Sequence, residues 1–354
     1  MSATVPSALV FAVLSLVSLA GCANERGSPE KPPDASPKAA GELRAGPDNG
    51  PRSTLLYLAG DGELTVVDVT AGSSRVVKLP ELAGGDPPHR IVRAGDRLAL
   101  WGRNAVYTVD LQVRSEPTKL AKAWFFLPSA EPDRLWLAIL EPESPETVRA
   151  LEAVREVTVD GRVTVSDVPP PGGGWPAAAV DRALVFEKDD VLEIWDPDTR
   201  TVPRVLRGES PGLGHGNRLP WCSPDYRRLH VTDIRTGDEL AVTAPAGFSI
   251  FDCWRAAFSP DGRFLAVPVA VRTGYGADRA LALVDLGRGV ARVVAGSRVE
   301  PDYVFVAWSS SGASVFITGG ERFKHRTLVE FRLGDERART LRVDVGDFYG
   351  MAAS

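Results

Sequence analysis

Asp-Arg followed by an apolar run recurs along this chain at a slowly varying spacing: Asp96-Arg97-Leu98-Ala99-Leu100, Asp133-Arg134-Leu135-Trp136-Leu137 and Asp181-Arg182-Ala183-Leu184-Val185. Looser copies follow at Ser223-Pro224-Asp225-Tyr226-Arg227, at Ser259-Pro260-Asp261-Gly262-Arg263 and at Ser309-Ser310-Ser311-Gly312. From Asp96 to Ser311, the position aligned with Asp261, there are 215 residues in five intervals, a mean of 43. A period of about 40–45 residues is that of a four-stranded blade, a unit that buries its apolar faces only by stacking on neighbouring copies.

Each repeat shows an apolar strand, a turn of Asp, Pro or Gly, a second apolar strand, a variable loop, and a strand ending in Asp before the last strand. Pro224 and Pro260 preset φ at their turns, and Gly262 tolerates a positive φ. Strands ending in Asp are visible as Leu64–Asp68, Val106–Asp110, Leu192–Asp196 and Leu281–Asp285. Short β-branched runs between turn signals predict an all-β chain. The stretch Thr147–Glu156 is the single helical candidate, read as a loop or one short helix inside the third blade. Around Asp225 the register is ambiguous. Leu229–Asp233 follows a turn as a second strand should, yet it ends in Asp233 before Thr236-Gly237-Asp238, as a third strand does. This segment is read as a short blade.

The ends bound the architecture. Residues Ala8–Ala20 are thirteen uncharged residues, too short at about 1.5 Å per residue to cross a hydrocarbon core of about 30 Å. They predict the apolar core of a signal peptide, and Leu19-Ala20-Gly21-Cys22 resembles a bacterial lipobox in which Cys22 accepts lipid. Residues 23–52 hold Pro29, Pro32, Pro33, Pro37, Pro47 and Pro51 without hydrophobic periodicity, the composition of a disordered tether. The expected organisation is therefore a signal peptide at 1–21, a lipidated Cys and tether at 22–52, and a folded part at 53–354. Those 302 residues hold seven units of the observed period. Nothing apolar precedes Ser53 to supply a first strand, while Phe348-Tyr349-Gly350-Met351-Ala352 is left over after the last blade. Pairing these ends would close an otherwise open sheet edge. The fold expected is a seven-bladed β-propeller of four-stranded antiparallel blades.

The segments Ala257-Phe258-Ser259-Pro260-Asp261-Gly262-Arg263-Phe264 and Trp221-Cys222-Ser223-Pro224-Asp225 resemble the W-S-P-D-G blade signature of TolB-like propellers, extracytoplasmic relatives of WD-repeat proteins. The resemblance spans roughly residues 53–354, with the full signature in one blade. It implies an envelope component that binds a partner protein. A fold of this kind hosts many functions, so the site has to be argued separately.

The formal net charge is −5, whereas nucleic-acid binding favours a basic excess. No nucleophile elbow, Walker loop, zinc-protease helix motif or EF-hand loop is present, and no cofactor is expected. His89, His215, His230 and His325 are scattered without metal-ligand spacing. Gly212-Leu213-Gly214-His215-Gly216-Asn217 is the most site-like stretch: bare amides beside an imidazole, with Gly214, His215 and Asn217 as candidate ligand contacts, against the alternative of a plain connection. Arg322, Lys324, His325 and Arg326 form the one local cationic cluster, a candidate partner-binding loop or else a solvated hairpin. Trp124, Trp221, Trp254 and Trp308 sit at or near first strands. They are read as inter-sheet packing, the alternative being an exposed ring at the channel mouth for stacking.

Cys222 and Cys253 remain to form a disulfide in an oxidising compartment. Register argues against the bond: Cys222 aligns with Phe258, which leaves Cys253 five positions away, roughly 16 Å at about 3.3 Å per residue. Disulfides need Cα atoms within about 7 Å. The bond requires the blade around Asp225 to be misaligned. The functional expectation is a membrane-anchored extracytoplasmic binding module with an envelope protein partner. The rival is a propeller enzyme, a lactonase or glycan hydrolase working at the central channel. Such an enzyme needs clustered carboxylates or a metal there, and none aligns across the repeats.

Overall fold

The structure, a computed structural model, describes residues 54–60, 62–79, 91–102, 105–140, 151–171, 175–248, 250–270, 278–300, 304–320, 327–343 and 348–354. Its strands form seven antiparallel sheets. Blade 1 contains β1 (Leu55–Gly60), β2 (Glu63–Asp68) and β3 (Ser73–Lys78), and blade 2 contains β4 (Ile91–Ala94), β5 (Arg97–Gly102), β6 (Ala105–Asp110) and β7 (Thr118–Lys122). Blade 3 is built from β8 (Phe125–Pro128), β9 (Arg134–Leu140), β10 (Leu151–Thr158) and β11 (Val163–Val168), and blade 4 from β12 (Pro176–Val180), β13 (Ala183–Lys188), β14 (Val191–Asp196) and β15 (Thr201–Arg207). Blade 5 has β16 (Arg218–Cys222), β17 (Arg228–Asp233) and β18 (Glu239–Thr243). In blade 6, β19 (Ile250–Phe251) and β20 (Ala257–Phe258) both pair with β21 (Phe264–Ala270), followed by β22 (Ala280–Asp285) and β23 (Val290–Val293). Blade 7 comprises β24 (Phe305–Trp308), β25 (Ser314–Gly319), β26 (Thr327–Arg332) and β27 (Arg339–Thr340).

The missing first strand of blade 1 comes from the far end of the chain. β28 (Gly350–Ala353) pairs with β1 in the register Leu56↔Ala353 to Ala59↔Gly350. Hydrogen bonds from the Tyr349 N–H to the Ala59 carbonyl (2.7 Å) and from the Ser354 N–H to the Leu55 carbonyl (2.9 Å) extend the pairing at both ends. First strands are neighbours around the ring axis: β24 meets β28, β28 meets β4, β8 meets β12, and β20 meets β24. Last strands lie outside, so β3, β7 and β15 are largely exposed.

Among the described residues the core forms seven clusters, each between two adjacent blades. In β5, Leu98 and Leu100 pack toward blade 1 while Ala99 and Trp101 pack toward blade 3. In β25, Val315 and Ile317 face blade 6 and Phe316 faces blade 1. Burial on both faces explains why these strands read as unbroken apolar runs instead of alternating with polar residues. Blade 7 meets blade 1 through Phe316, Leu328, Leu56, Leu58, Phe348 and Met351, which completes the circle.

Strands that end in Asp do so for a local reason. The Asp68 carboxylate accepts the N–H groups of Thr70 and Ala71, Asp196 those of Asp198 and Thr199, and Asp233 those of Arg235 and Thr236. Each side chain turns the backbone into the outer strand. Asp110, held by the Ser115 hydroxyl together with backbone N–H groups, has its carboxyl pulled down to about 2.

Three expectations are corrected. Leu151–Glu156, part of the helical candidate, belongs to β10, paired on both sides by β9 and β11; Thr147 to Ala150 lie outside the described residues. The Ser223-Pro224-Asp225 turn joins β16 to β17, and β17 ends in the Asp233 turn, so these are the second and third strands of blade 5. The place of the first strand is taken by 209–215, which bridges β16 antiparallel at Glu209↔Cys222 and His215↔Arg218. The blade is irregular more than short. This one-strand shift also overturns the register argument against the disulfide: Cys222 and Cys253 are bonded, with Cα atoms 5.7 Å apart.

Two outcomes test this fold. Deleting Gly350–Ser354 leaves β1 with an unpaired edge, and the expected result in a thermal melt is loss of cooperativity or a midpoint lowered by roughly 5 °C or more. Replacing Cys222 and Cys253 together by Ala should lower unfolding stability by roughly 3 to 4 kcal/mol, the loop-closure value for a 31-residue separation, read from urea midpoints.

Candidate functional site

In blades 2, 3, 4, 6 and 7 the first strand runs into the turn that carries the repeat motif, so those five turns and the Asp turns share one face of the ring, whereas the Ser223-Pro224-Asp225 turn, between the second and third strands of blade 5, lies on the other. The described chain also begins on the Asp-turn face, since Thr54 accepts a hydrogen bond from the Val69 N–H in the first Asp turn. The starts of the first strands mark the opposite face, and aromatic residues gather at them. Phe125 opens β8 and lies 5.9 Å from Trp175, which precedes β12 and is 39% exposed. Phe305 opens β24 and lies 6.3 Å from Phe348, which precedes β28.

Blade 6 adds Trp254. Between Phe251 and Ala257 five residues oppose only Val267 and Pro268 of β21, because Phe251 pairs with Val269 and Ala257 with Ala266. Pro268 has no N–H to give the ladder, and a proline inside a sheet marks a bulge. The excess residues fold into a 3-10 turn, Cys253–Arg255. The Asp252 N–H reaches the Pro268 carbonyl at 2.9 Å, Cys253 is bonded to Cys222 of blade 5, and the Arg255 guanidinium donates to the Val304 carbonyl of blade 7. That guanidinium also lies 5.1 Å from the Trp254 ring centroid and 4.8 Å from that of Phe305, in the range of cation–π attraction. Trp254 is 54% exposed, whereas Trp221 (5%) and Trp308 (7%) are buried packing residues. Burial pushes the Asp252 carboxyl up, against the opposing pull of Arg255 and Arg279. An exposed indole beside a fixed guanidinium can hold an apolar group and an anion together. Pro268 within Phe264-Leu265-Ala266-Val267-Pro268-Val269-Ala270 is the sequence signal for this bulge.

The glycine-rich stretch lies between blades. The Gly212 N–H donates to the Pro220 carbonyl (2.9 Å), that of Gly214 to Ala179 of blade 4 (3.2 Å), and that of His215 to Arg218 (3.0 Å). A Cβ on Gly212 would stand 2.5 Å from the Cys253 carbonyl oxygen, and one on Gly214 2.5 Å from that of Ala179. These glycines are therefore required by close backbone approach on two sides, and their amides are committed to carbonyls. Asn217 turns the chain into β16 and binds Asp233 through its side chain. The His215 ring lies 5.5 Å from Phe258. His230 stacks on Trp221 at 4.1 Å and contacts Glu239 at 2.7 Å. Cys22, His89, Arg322, Lys324, His325 and Arg326 lie outside the described residues. Among the described residues no group of three or more His, Cys, Asp or Glu is placed to hold a metal ion.

On the Asp-turn face, a pocket of about 260 Å³ opens between blades 5 and 6, lined by Arg218, Val231, Asp233, Asp238, Glu239, Leu240 and Leu286. Its carboxylates hold their own turns and neighbours: Asp233 caps its turn, Asp238 accepts from Thr236, and Glu239 meets His230.

This architecture defines a seven-bladed β-propeller whose candidate site is the aromatic end of the first strands, centred on the blade 6 bulge. Among solved structures the chain is similar to a functionally unknown protein from Desulfotomaculum acetoxidans, with 10% identity and a TM-score of 0.53 over 84% of this chain and 98% of that one. It is also similar to a chain of the mitotic checkpoint complex, with 13% identity and a TM-score of 0.52 over 90% and 100%. TolB from Acinetobacter baumannii matches with 13% identity and a TM-score of 0.48 over 85% of this chain and 66% of its own length. No family model matches the sequence, and no curated protein matches it. At these identities the likeness establishes the fold alone.

Burial holds the His215 imidazole below its ordinary value, and the Arg218 guanidinium adds to the effect. The folded chain therefore binds this proton less readily than the unfolded chain, so the stability is present above about pH 6.5 and lost as pH falls below it. The urea midpoint is expected to drop between about pH 7 and pH 5, and His215→Gln should flatten that part of the profile.

Proposed function

We propose that this chain is a lipid-anchored, extracytoplasmic binding module that presents one face of its ring to a protein partner in the bacterial envelope. The observation that carries the reading is the aromatic end of the first strands, where Trp254 and Trp175 stay exposed although the ring buries most of its large apolar side chains. Exposed Trp beside Arg is the composition of binding hot spots. The Cys222–Cys253 disulfide supports an oxidising compartment. The apolar run Ala8–Ala20 followed by Leu19-Ala20-Gly21-Cys22 supports export and lipid attachment at Cys22.

The cationic segment containing Arg322, Lys324, His325 and Arg326 connects β25 to β26, whose flanking ends Gly319 and Thr327 belong to the face that carries Trp254. Loops displayed on a rigid ring are a usual place for partner contacts. The tether of residues 23–52 has the composition of a flexible chain, with an r.m.s. span of roughly 30 Å, enough to hold a ring off a membrane surface.

Affinity capture from envelope extract tests the reading. The full chain should retain a partner protein, and changing Arg322, Lys324 and Arg326 to Glu should weaken that retention. In cells, Cys22→Ala should leave unprocessed precursor or release the chain into the medium. A variant still processed and still partitioning into detergent with the membrane fraction contradicts lipid attachment at Cys22. Turnover of esters, lactones or glycosides, abolished by substituting one carboxylate near the ring axis, would replace the binding module by an enzyme.

A further inference from the structure

We infer that the blade 6 bulge, with Trp254, Arg255 and Asp252, is the peptide-binding hot spot of this face, and that it takes an acidic segment carrying an aromatic or large apolar anchor. The inference rests on the binding-module reading and deepens it.

The first argument is pre-organisation. A single-residue bulge would relieve the mismatch with Pro268, yet the turn holds five residues against two and is fixed on three sides: the disulfide to blade 5, the Arg255 contact to Val304 of blade 7, and the Asp252 N–H to Pro268 within its own blade. A platform fixed before contact loses little conformational freedom on binding. The second argument is that this rigid turn displays, instead of burying, the largest side chain available to it. The indole of Trp254 is 54% exposed, while Cys253 before it in the 3-10 turn and Ala256 just after the turn are buried. Indole offers broad apolar contact at low entropic cost.

The third argument is charge. Two guanidinium groups, Arg255 and Arg279, act on the single carboxyl of Asp252, and that carboxyl is itself pushed toward its neutral form by burial. The Arg255 guanidinium is held at the turn by its contacts to the Val304 carbonyl and the Trp254 and Phe305 rings, where it can meet an anionic group of a ligand. Arg255 is packed against the rings of Trp254 and Phe305, so charge and apolar surface are presented side by side. A ligand that satisfies both has a carboxylate next to an aromatic or large aliphatic side chain. Polypeptide supplies that pairing in adjacent residues.

Selection from a random linear peptide library on the full chain purified in detergent tests this. The expected sequences combine Asp or Glu with Phe, Tyr, Trp or Leu. A synthetic peptide of the most enriched sequence should bind Trp254→Ala about tenfold or more weakly than the parent, and Trp254→Phe should recover part of the loss. The exposed indole can be removed without opening the core, so an unchanged melting midpoint confirms that the variant is folded. Raising salt should weaken binding as well. A basic consensus, or a peptide that binds Trp254→Ala as tightly as the parent, overturns the inference. So does a chain that selects no peptide and binds oligomers of N-acetylglucosamine through Trp254, which marks a glycan site. If the partner captured from envelope extract binds Trp254→Ala undiminished, the hot spot is wrong and the binding module stands. If neither extract nor library gives a bound protein or peptide, the module reading fails with it.

Discussion

Face-to-face packing between neighbouring sheets is the interaction on which this ring depends. No blade carries a core of its own: β5 divides its side chains between Leu98 and Leu100 on one side and Ala99 and Trp101 on the other. At a few kcal/mol for each large side chain buried, every blade is stabilised by two neighbours and each neighbour by a third. Such an arrangement has no free end only if it closes. Closure at blade 1 uses two parts of the chain that lie 299 residues apart at Leu55 and Ser354.

Regularity lapses in two adjoining blades, and the lapses share a cause. Pro220 in β16 and Pro268 in β21 are second-strand residues that cannot donate to the strand nearest the axis. In blade 5 that strand becomes a glycine-bearing segment pressed against Ala179 and Cys253; in blade 6 it becomes a bulge with a 3-10 turn. The disulfide joins the two irregular regions. A fold built on repetition thus departs from it where the candidate site lies, as expected when local rules give way at functional positions.

Much of the fold was legible in the repeat. Five of the six motif copies mark the turn between first and second strands, and the terminal Asp residues mark the turn into the outer strand, because each motif performs a local task that any observer of turn chemistry can recognise. Asp225 misled for the same reason: Ser-Pro-Asp suits any tight turn, here the one between second and third strands, and the motif carries no information about which turn it serves. That single displacement hid the disulfide. Leu151–Glu156 looked helical because a strand buried on both faces has lost the alternation that distinguishes strand from helix. The exposure of Trp254 was beyond a sequence reading of the tryptophans alone, since Trp221, Trp254 and Trp308 have similar local surroundings. Pro268 held the clue, through its effect on the neighbouring strand.

The closing strand has a consequence in time. Within the ring β1, β2 and β3 are made first, and their inner edge waits for Gly350–Ala353, made after the other six blades. At about 5–20 residues per second, the 299 residues between the partners correspond to a delay of roughly 15 to 60 seconds. Throughout it an apolar strand, Leu55-Leu56-Tyr57-Leu58-Ala59, presents an unpaired edge of the kind that recruits other chains. A chain whose ring is still being made is therefore the most exposed to misassembly, and the closing strand sets when that hazard ends.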